Sequence, residues 1–259
     1  MINSVYLHKE DQDTYPFYLP IFHQRLCFPT PVTIIVGENG CGKSTFLELL
    51  GAALSINHIG KPLVKVQSIR IDIDYVLKKP KGLLFSSEDF TSYIHQLQQA
   101  VDDSKNALEE IQEEYKNKST YSKLMAGSAH HRTIHEVKNL HDRDLLQSSH
   151  GQAYLSFFKS RIRTNQLYLL DEIETPLSFT NQLAILYLIK AAVDAGNQLI
   201  ISTHSPVIMA YPNSTIYQLN EEGFHPISFH EAKNVGLMKQ FLEDPEAFTH
   251  HLFQEDSNE

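Results

Sequence analysis

The stretch Gly37-Glu38-Asn39-Gly40-Cys41-Gly42-Lys43-Ser44 constrains this chain more than any other. It satisfies G-x-x-x-x-G-K-[ST], and Thr45 follows it. Before it lies the apolar, β-rich run Val32-Thr33-Ile34-Ile35-Val36, and after it Lys43 to Leu54 reads as a helix. Glycines let a backbone curl tightly enough to aim several N–H groups at one anion. The helix that begins there adds the positive end of its dipole. In that setting Lys43 reaches the β- and γ-phosphates of a nucleotide, and the Ser44 hydroxyl takes a Mg2+ position. Strand, phosphate-binding turn and helix in that order call for βαβ units, hence an α/β fold with a mainly parallel sheet.

The rest of the chain supplies the other units. Val64 to Ile73, Leu83-Leu84-Phe85, Leu167-Tyr168-Leu169-Leu170, Gln198 to Ser202 and Ser214 to Leu219 read as strands. Phe179 to Ala195 reads as a helix, and Glu231 to Phe253 as two helices broken at Asp244-Pro245. Between Thr91 and Lys116, Ile94, Leu97, Val101, Ser104, Leu108, Ile111 and Tyr115 recur three and four apart, a helical seam with one polar member. Such a helix lies on its own domain or projects as an arm. Asn117 to Arg143 is polar, contains Gly127, and reads as a flexible connection. The expected organisation is one domain over 1–259 with a helical insertion at 91–148.

Composition sets outer limits. The chain has 259 residues, 42% hydrophobic and 20% charged, which is ordinary for a globular protein with a proper core. No apolar run approaches the roughly 20 residues a membrane span needs, and Met1-Ile2-Asn3-Ser4 does not open a signal peptide. Cys27 and Cys41 cannot build a disulfide framework, so a cytoplasmic location is expected. A net charge of −9 argues against nucleic-acid binding by a surface basic overall, while leaving a local basic groove open. His130, His131, His135 and His141 cluster without cysteine at zinc-site spacing, and read as a solvated polar segment. The acidic end Glu255-Asp256-Ser257-Asn258-Glu259 reads as a solvated tail.

Two further strand ends carry chemistry. The strand at Leu167 to Leu170 ends in Asp171-Glu172. At the carboxyl end of a parallel strand Asp171 can support Mg2+ beside the cradle, and Glu172 can polarise the attacking water as general base. The strand Gln198 to Ile201 leads to Ser202-Thr203-His204-Ser205-Pro206, placing His204 to hydrogen-bond a γ-phosphate oxygen or that water.

These pieces, in this order, resemble the ABC-type ATPase heads of SMC, RecF and OLD-like proteins. Gly37 to Thr45 looks like their Walker A, Leu167 to Glu172 like their Walker B with its catalytic glutamate, and Thr203-His204-Ser205 like the switch-histidine loop. Ser148-Ser149-His150-Gly151-Gln152 resembles the signature L-S-G-G-Q, with Ser148 for the leucine and His150 for the first glycine. Thr175-Pro176-Leu177-Ser178 falls where the D-loop lies, and Glu88 where a Q-loop glutamine is expected. Tyr15-Pro16-Phe17 and the run Thr203 to Pro212 are shared with small single-domain bacterial ATPases of this class; Tyr15, Phe17 or Tyr18 are candidates to stack on adenine. The resemblance implies Mg2+-dependent ATP hydrolysis coupled to closure of a homodimer. Ser149, Gly151 and Gln152 of one copy would then cap the nucleotide of the other, and an effector protein would receive the motion. A transporter subunit should carry a clear Q-loop and a full L-S-G-G-Q, and this chain has neither. A nucleotide-gated interaction module with slow hydrolysis is the other alternative.

Overall fold

The structure, a computed structural model, describes residues 1–9, 14–59, 69–76, 78–139 and 150–254. β1 (Ile2–Leu7) and β2 (Arg25–Cys27) precede β3 (Val32–Gly37), which enters the glycine turn, and α1 (Lys43–Ala53) leaves it. β4 (Asn57–His58), β5 (Ile71–Tyr75) and β6 (Gly82–Ser86) follow, then α2 (Ser87–Glu114), α3 (Thr120–Asn139) and α4 (His150–Arg161). The chain continues through β7 (Leu167–Asp171), α5 (Phe179–Asp194), β8 (Gln198–Ser202) and α6 (Pro206–Met209). It closes with β9 (Thr215–Asn220), β10 (Gly223–Ile227), α7 (Lys233–Glu243) and α8 (Pro245–Gln254).

The main sheet has the order β10-β9-β3-β8-β7-β6-β4 and is parallel except for β10 at one edge. β3, β7 and β8 are apolar almost throughout because both of their faces are covered. Alternate residues divide the core. Ile35, Leu169 and Ile200 pack with Phe46 and Leu50 of α1, while Ile34, Tyr168, Leu170 and Ile201 pack with Phe157 of α4 and Ile185 and Ile189 of α5. A second, antiparallel sheet, β2-β1-β5, was not expected from the sequence. The buried Gln198 amide joins the two sheets: it accepts from Ile2 N at 2.8 Å and donates to Ile2 O at 2.9 Å.

Three expectations need correction. The seam helix begins at Ser87, four residues before Thr91, because Ser86 caps it and accepts from Asp89 N at 3.0 Å. The supposed flexible connection after Asn117 holds α3, which packs back along α2. Gly127 permits that approach, since a Cβ there would stand 2.7 Å from Leu108 Cδ2. The strand sought from Val64 to Ile73 is β5, Ile71–Tyr75; positions 64–68 lie outside the described residues, as do His141 and the acidic end. The seam itself holds: Val101 and Ser104 are buried, Ile94, Leu97, Leu108, Ile111 and Tyr115 half-buried.

Candidate functional site

Parallel pairing brings the chemistry to one edge. Ser86, Asp171 and Ser202 lie level at the carboxyl ends of β6, β7 and β8, with Ile35 of β3 at the same level and Gly37 two residues beyond. The turn after Gly37 uses glycine for two reasons. Gly40 and Gly42 have φ of 78° and 107°, left-handed values that L side chains disfavour. Gly37 instead has no room, because a Cβ would stand 2.5 Å from Leu219 O.

Lys43 is 4% exposed, and its ammonium folds over the turn, donating to Gly37 O at 3.0 Å and Glu38 O at 2.9 Å. Asn39 and Cys41 sit in the same turn, and Thr45, buried on α1, shares a 2.8 Å hydrogen bond with the Tyr15 hydroxyl. The Ser44 hydroxyl lies near enough to the Asp171 carboxylate to favour its charged form. Burial pushes Asp171 above the ordinary carboxylate range; the Ser44 and Ser202 hydroxyls oppose the shift, Glu172 adds to it, and Lys43 opposes it. Asp171 Oδ1 is buried and has no hydrogen-bond partner. An unpaired carboxylate oxygen beside a serine hydroxyl suits a hard cation that takes oxygen ligands. Among the described residues there is no group of three or more His, Cys, Asp or Glu that could hold a metal. The histidines at 130, 131 and 135 lie on α3 and form no such group.

Glu172 has φ 47°, a left-handed value that costs a non-glycine residue about 1–3 kcal/mol and marks functional positions. Its Oε1 stands 3.5 Å from His204 Nε2, and both side chains are 39% exposed. A cavity of about 240 Å³ opens beside Glu172, lined also by Ser44, Glu48, His58, Glu88, Asp89 and Asp171 among others. Glu88 therefore reaches the site from the first turn of α2.

The signature segment is described only in part. Ser148 and Ser149 are outside the described residues. Gly151 and Gln152 occupy the first turn of α4, and Gly151 packs so closely on Asn181 of α5 that a Cβ would collide with Asn181 Nδ2. Neither residue lines the cavity beside Asp171. The turn at Thr175 to Ser178 joins β7 to α5, where Ser178 caps the helix. Phe17 is buried in the core, which removes it as an adenine platform; Tyr15 and Tyr18 stay exposed with ring centres 6.1 Å apart.

Sequence reasoning missed several residues. His58 and Asp89 form a 2.9 Å ion pair at the cavity wall. Glu174 accepts from His204 N at 2.6 Å, and Asn234 donates to His204 O at 2.7 Å. Only the D-loop neighbourhood of Glu174 offered a signal; Asn234 lies on α7, 30 residues from His204.

A protein-family model described as "AAA domain" matches residues 20–61, and one described as "AAA domain, putative AbiEii toxin, Type IV TA system" matches residues 85–210. No curated protein matches. Among solved structures, an SMC head bound to the C-winged helix domain of ScpA superposes with TM-score 0.52 at 13% identity, over 89% of this chain and 99% of that one. The SMC head domain from Thermotoga maritima gives 0.41 at 13% identity, covering 88% and 98%. A nucleotide-free ATP-binding cassette from an ABC transporter gives 0.47 at 17%, covering 95% and 97%. Among the described residues no helix is long and apolar enough to cross a membrane. One family match spans the glycine turn and the other spans Asp171, Glu172 and His204, so the chain is similar to AAA domains over both parts of the site, and its α/β fold is that of an ABC-type ATPase head.

Proposed function

We propose that this ATPase binds Mg2+-ATP at the edge formed by β3, β7 and β8, closes as a homodimer over two nucleotides, and passes the closure to an effector protein. The loop amides from Glu38 to Ser44 and the Lys43 ammonium hold the phosphates. Ser44 and Asp171 would hold Mg2+, which would supply positive charge to offset that of the bound phosphates. Glu172 takes the proton of the attacking water, and His204 steadies that water or a γ-phosphate oxygen. Ser149, Gly151 and Gln152 of the second copy cap the γ-phosphate, so that closure depends on it.

One observation carries the shared-site reading. Gly151 is packed against α5, Gln152 is exposed, and neither lines the cavity beside Ser44, Asp171 and Glu172. Residues that lie apart from their own chain's cavity, as Gly151 and Gln152 do, are free to serve another copy's. The insertion at 91–148, with α2 and α3 as its described part, is the segment we assign to partner contact. A nucleotide-gated module with slow hydrolysis is the second reading, favoured by the family match over residues 85–210, whose description names a toxin system. Glu88 in place of a glutamine and His150 in place of a glycine weigh against a transporter subunit.

The test is light scattering after size exclusion, with and without ATP and Mg2+. Glu172→Gln keeps the side chain's size and reach but cannot take a proton at neutral pH, so it should hold an ATP-dependent dimer. Adding Ser149→Arg should return that protein to its nucleotide-free mass while each subunit still binds ATP. A Glu172→Gln protein that binds ATP without any change in mass refutes closure.

A further inference from the structure

We propose that Glu174 and Asn234 are positioning residues that clamp the backbone of His204 from both sides and so aim its ring at the water held by Glu172. The proposal rests on the reading of His204 as part of the hydrolytic machinery.

The ring of His204 has little of its own to hold it. Nε2 makes no hydrogen bond, and its nearest charged neighbour is Glu172 Oε1 at 3.5 Å. The peptide groups flanking the ring are instead fixed at both ends. The N–H of His204 donates to Glu174 Oε1 at 2.6 Å, a short bond to a carboxylate of the stronger, charge-assisted kind. The carbonyl of His204 accepts from Asn234 Nδ2 at 2.7 Å. The Thr203 hydroxyl lies near enough to the same carboxylate to favour its charged form, and Thr203 Oγ1 itself accepts from Ser205 N at 3.0 Å. The following residue is anchored too, since Ser205 Oγ donates to Gln182 Oε1 of α5 at 2.7 Å.

The clamp is built from distant parts of the fold. Glu174 lies in the turn after β7, two residues past Glu172, with Oε2 buried and without a hydrogen-bond partner. Burial raises its pKa, against the pull of the His204 N–H and the Thr203 hydroxyl. Asn234 sits in the first turn of α7, beside Lys233, which pairs with Glu38 of the phosphate turn at 3.0 Å. A displacement of about 1 Å at a reacting group can cost on the order of 100-fold in rate, so a clamp on the backbone can control turnover without touching substrate.

The experiment measures kcat and KM for ATP in Glu174→Ala, Glu174→Gln, Asn234→Ala, His204→Ala and the Glu174→Ala/His204→Ala double variant. Glu174→Ala should lower kcat by roughly 10- to 100-fold with KM within about twofold, because the lost interaction orients chemistry rather than binds ATP. Glu174→Gln should recover to within about fivefold of wild type, since its amide oxygen still accepts from the His204 N–H. The double variant should be no slower than His204→Ala, because residues acting as one unit are not additive. Should Glu174→Ala fail to fold, Asn234→Ala takes its place in the cycle with an expected kcat loss of about 3- to 10-fold. A wild-type kcat in the single clamp variants, a loss confined to KM, or additive losses in the double variant overturns the clamp while leaving His204 in place. A wild-type rate in His204→Ala overturns the reading of the histidine itself.

Discussion

The glycine turn makes a quantitative prediction that the motif alone does not. G-x-x-x-x-G-K-S treats its glycines by position, and the structure shows that Gly37 and Gly40 are required for different reasons. A Cβ at Gly37 would stand 2.5 Å from Leu219 O and 2.8 Å from Cys41 Sγ. The first contact is about 0.9 Å short of ordinary packing at 3.4 Å, and the oxygen belongs to β9, locked in parallel register with β3. Backbone in a ladder cannot retreat as a side-chain end can. Overpacking of this kind costs about 1–3 kcal/mol, and the value should lie near the top of that range. Gly40 has nothing within 4 Å of its Cβ position, so only its φ of 78° counts, at about 1–2 kcal/mol. Alanine also restricts the unfolded chain, returning about 0.4–1 kcal/mol at either site. Gly37→Ala should therefore destabilise by about 2 kcal/mol and Gly40→Ala by about 1. Urea unfolding of both variants beside wild type checks the order. Equal midpoints, or Gly40→Ala as the weaker protein, would refute the claim that β9 sets the requirement at Gly37.

Three other outcomes follow from single contacts. Lys43→Ala should lose ATP turnover while its melting temperature stays near wild type, since only two carbonyl contacts go with it; a folded variant that turns over normally contradicts the cradle. Leu108→Asp should cost about 1–3 kcal/mol in urea unfolding, because a carboxylate would face Gly127 across the α2–α3 contact; an unchanged midpoint shows that the seam is not packed there. The stability gap between wild type and His58→Gln should narrow as pH rises. The hydrogen bond to Asp89 raises the His58 pKa despite burial, so its contribution is complete below about 6.5 and fades as pH climbs through the raised value. For Asp89 burial pushes up, yet the His58 and Ser86 hydrogen bonds prevail and lower its pKa, so its share fades only in acid. A gap that widens from pH 6 to 9 in thermal melts would reverse the assignment.

How much of this was legible depended on whether the cause was local. β3, β7 and β8 were readable because strands covered on both faces must be apolar throughout, and Asp171 and His204 because each closes or follows such a run. The antiparallel sheet was not readable. β2 has three residues, and β1 is held by long-range partners, β5 some seventy residues on and the Gln198 amide. The helix α3 was hidden by its own best contact, since Gly127 weakens helix propensity and the polar surface around it gives no clear stripe. Gly127 instead gives room to Leu108, which lies on another helix.

The same division runs through the site. Groups proposed to touch phosphate or water sit in short runs whose spacing a ligand would dictate, so Lys43, Ser44, Asp171 and Glu172 announce themselves. Groups that aim those residues answer only to the fold. Glu174 and Asn234 each meet His204 across 30 residues of sequence, and His58 meets Asp89 across 31, through contacts that no local pattern records. Chemistry conserved by geometry can therefore be read in one dimension, whereas its control is written in contacts. In the proposed mechanism the control carries the distinguishing information: the cradle would bind ATP, and the loop held by Glu174, Gln182 and Asn234 would set when the histidine is in place.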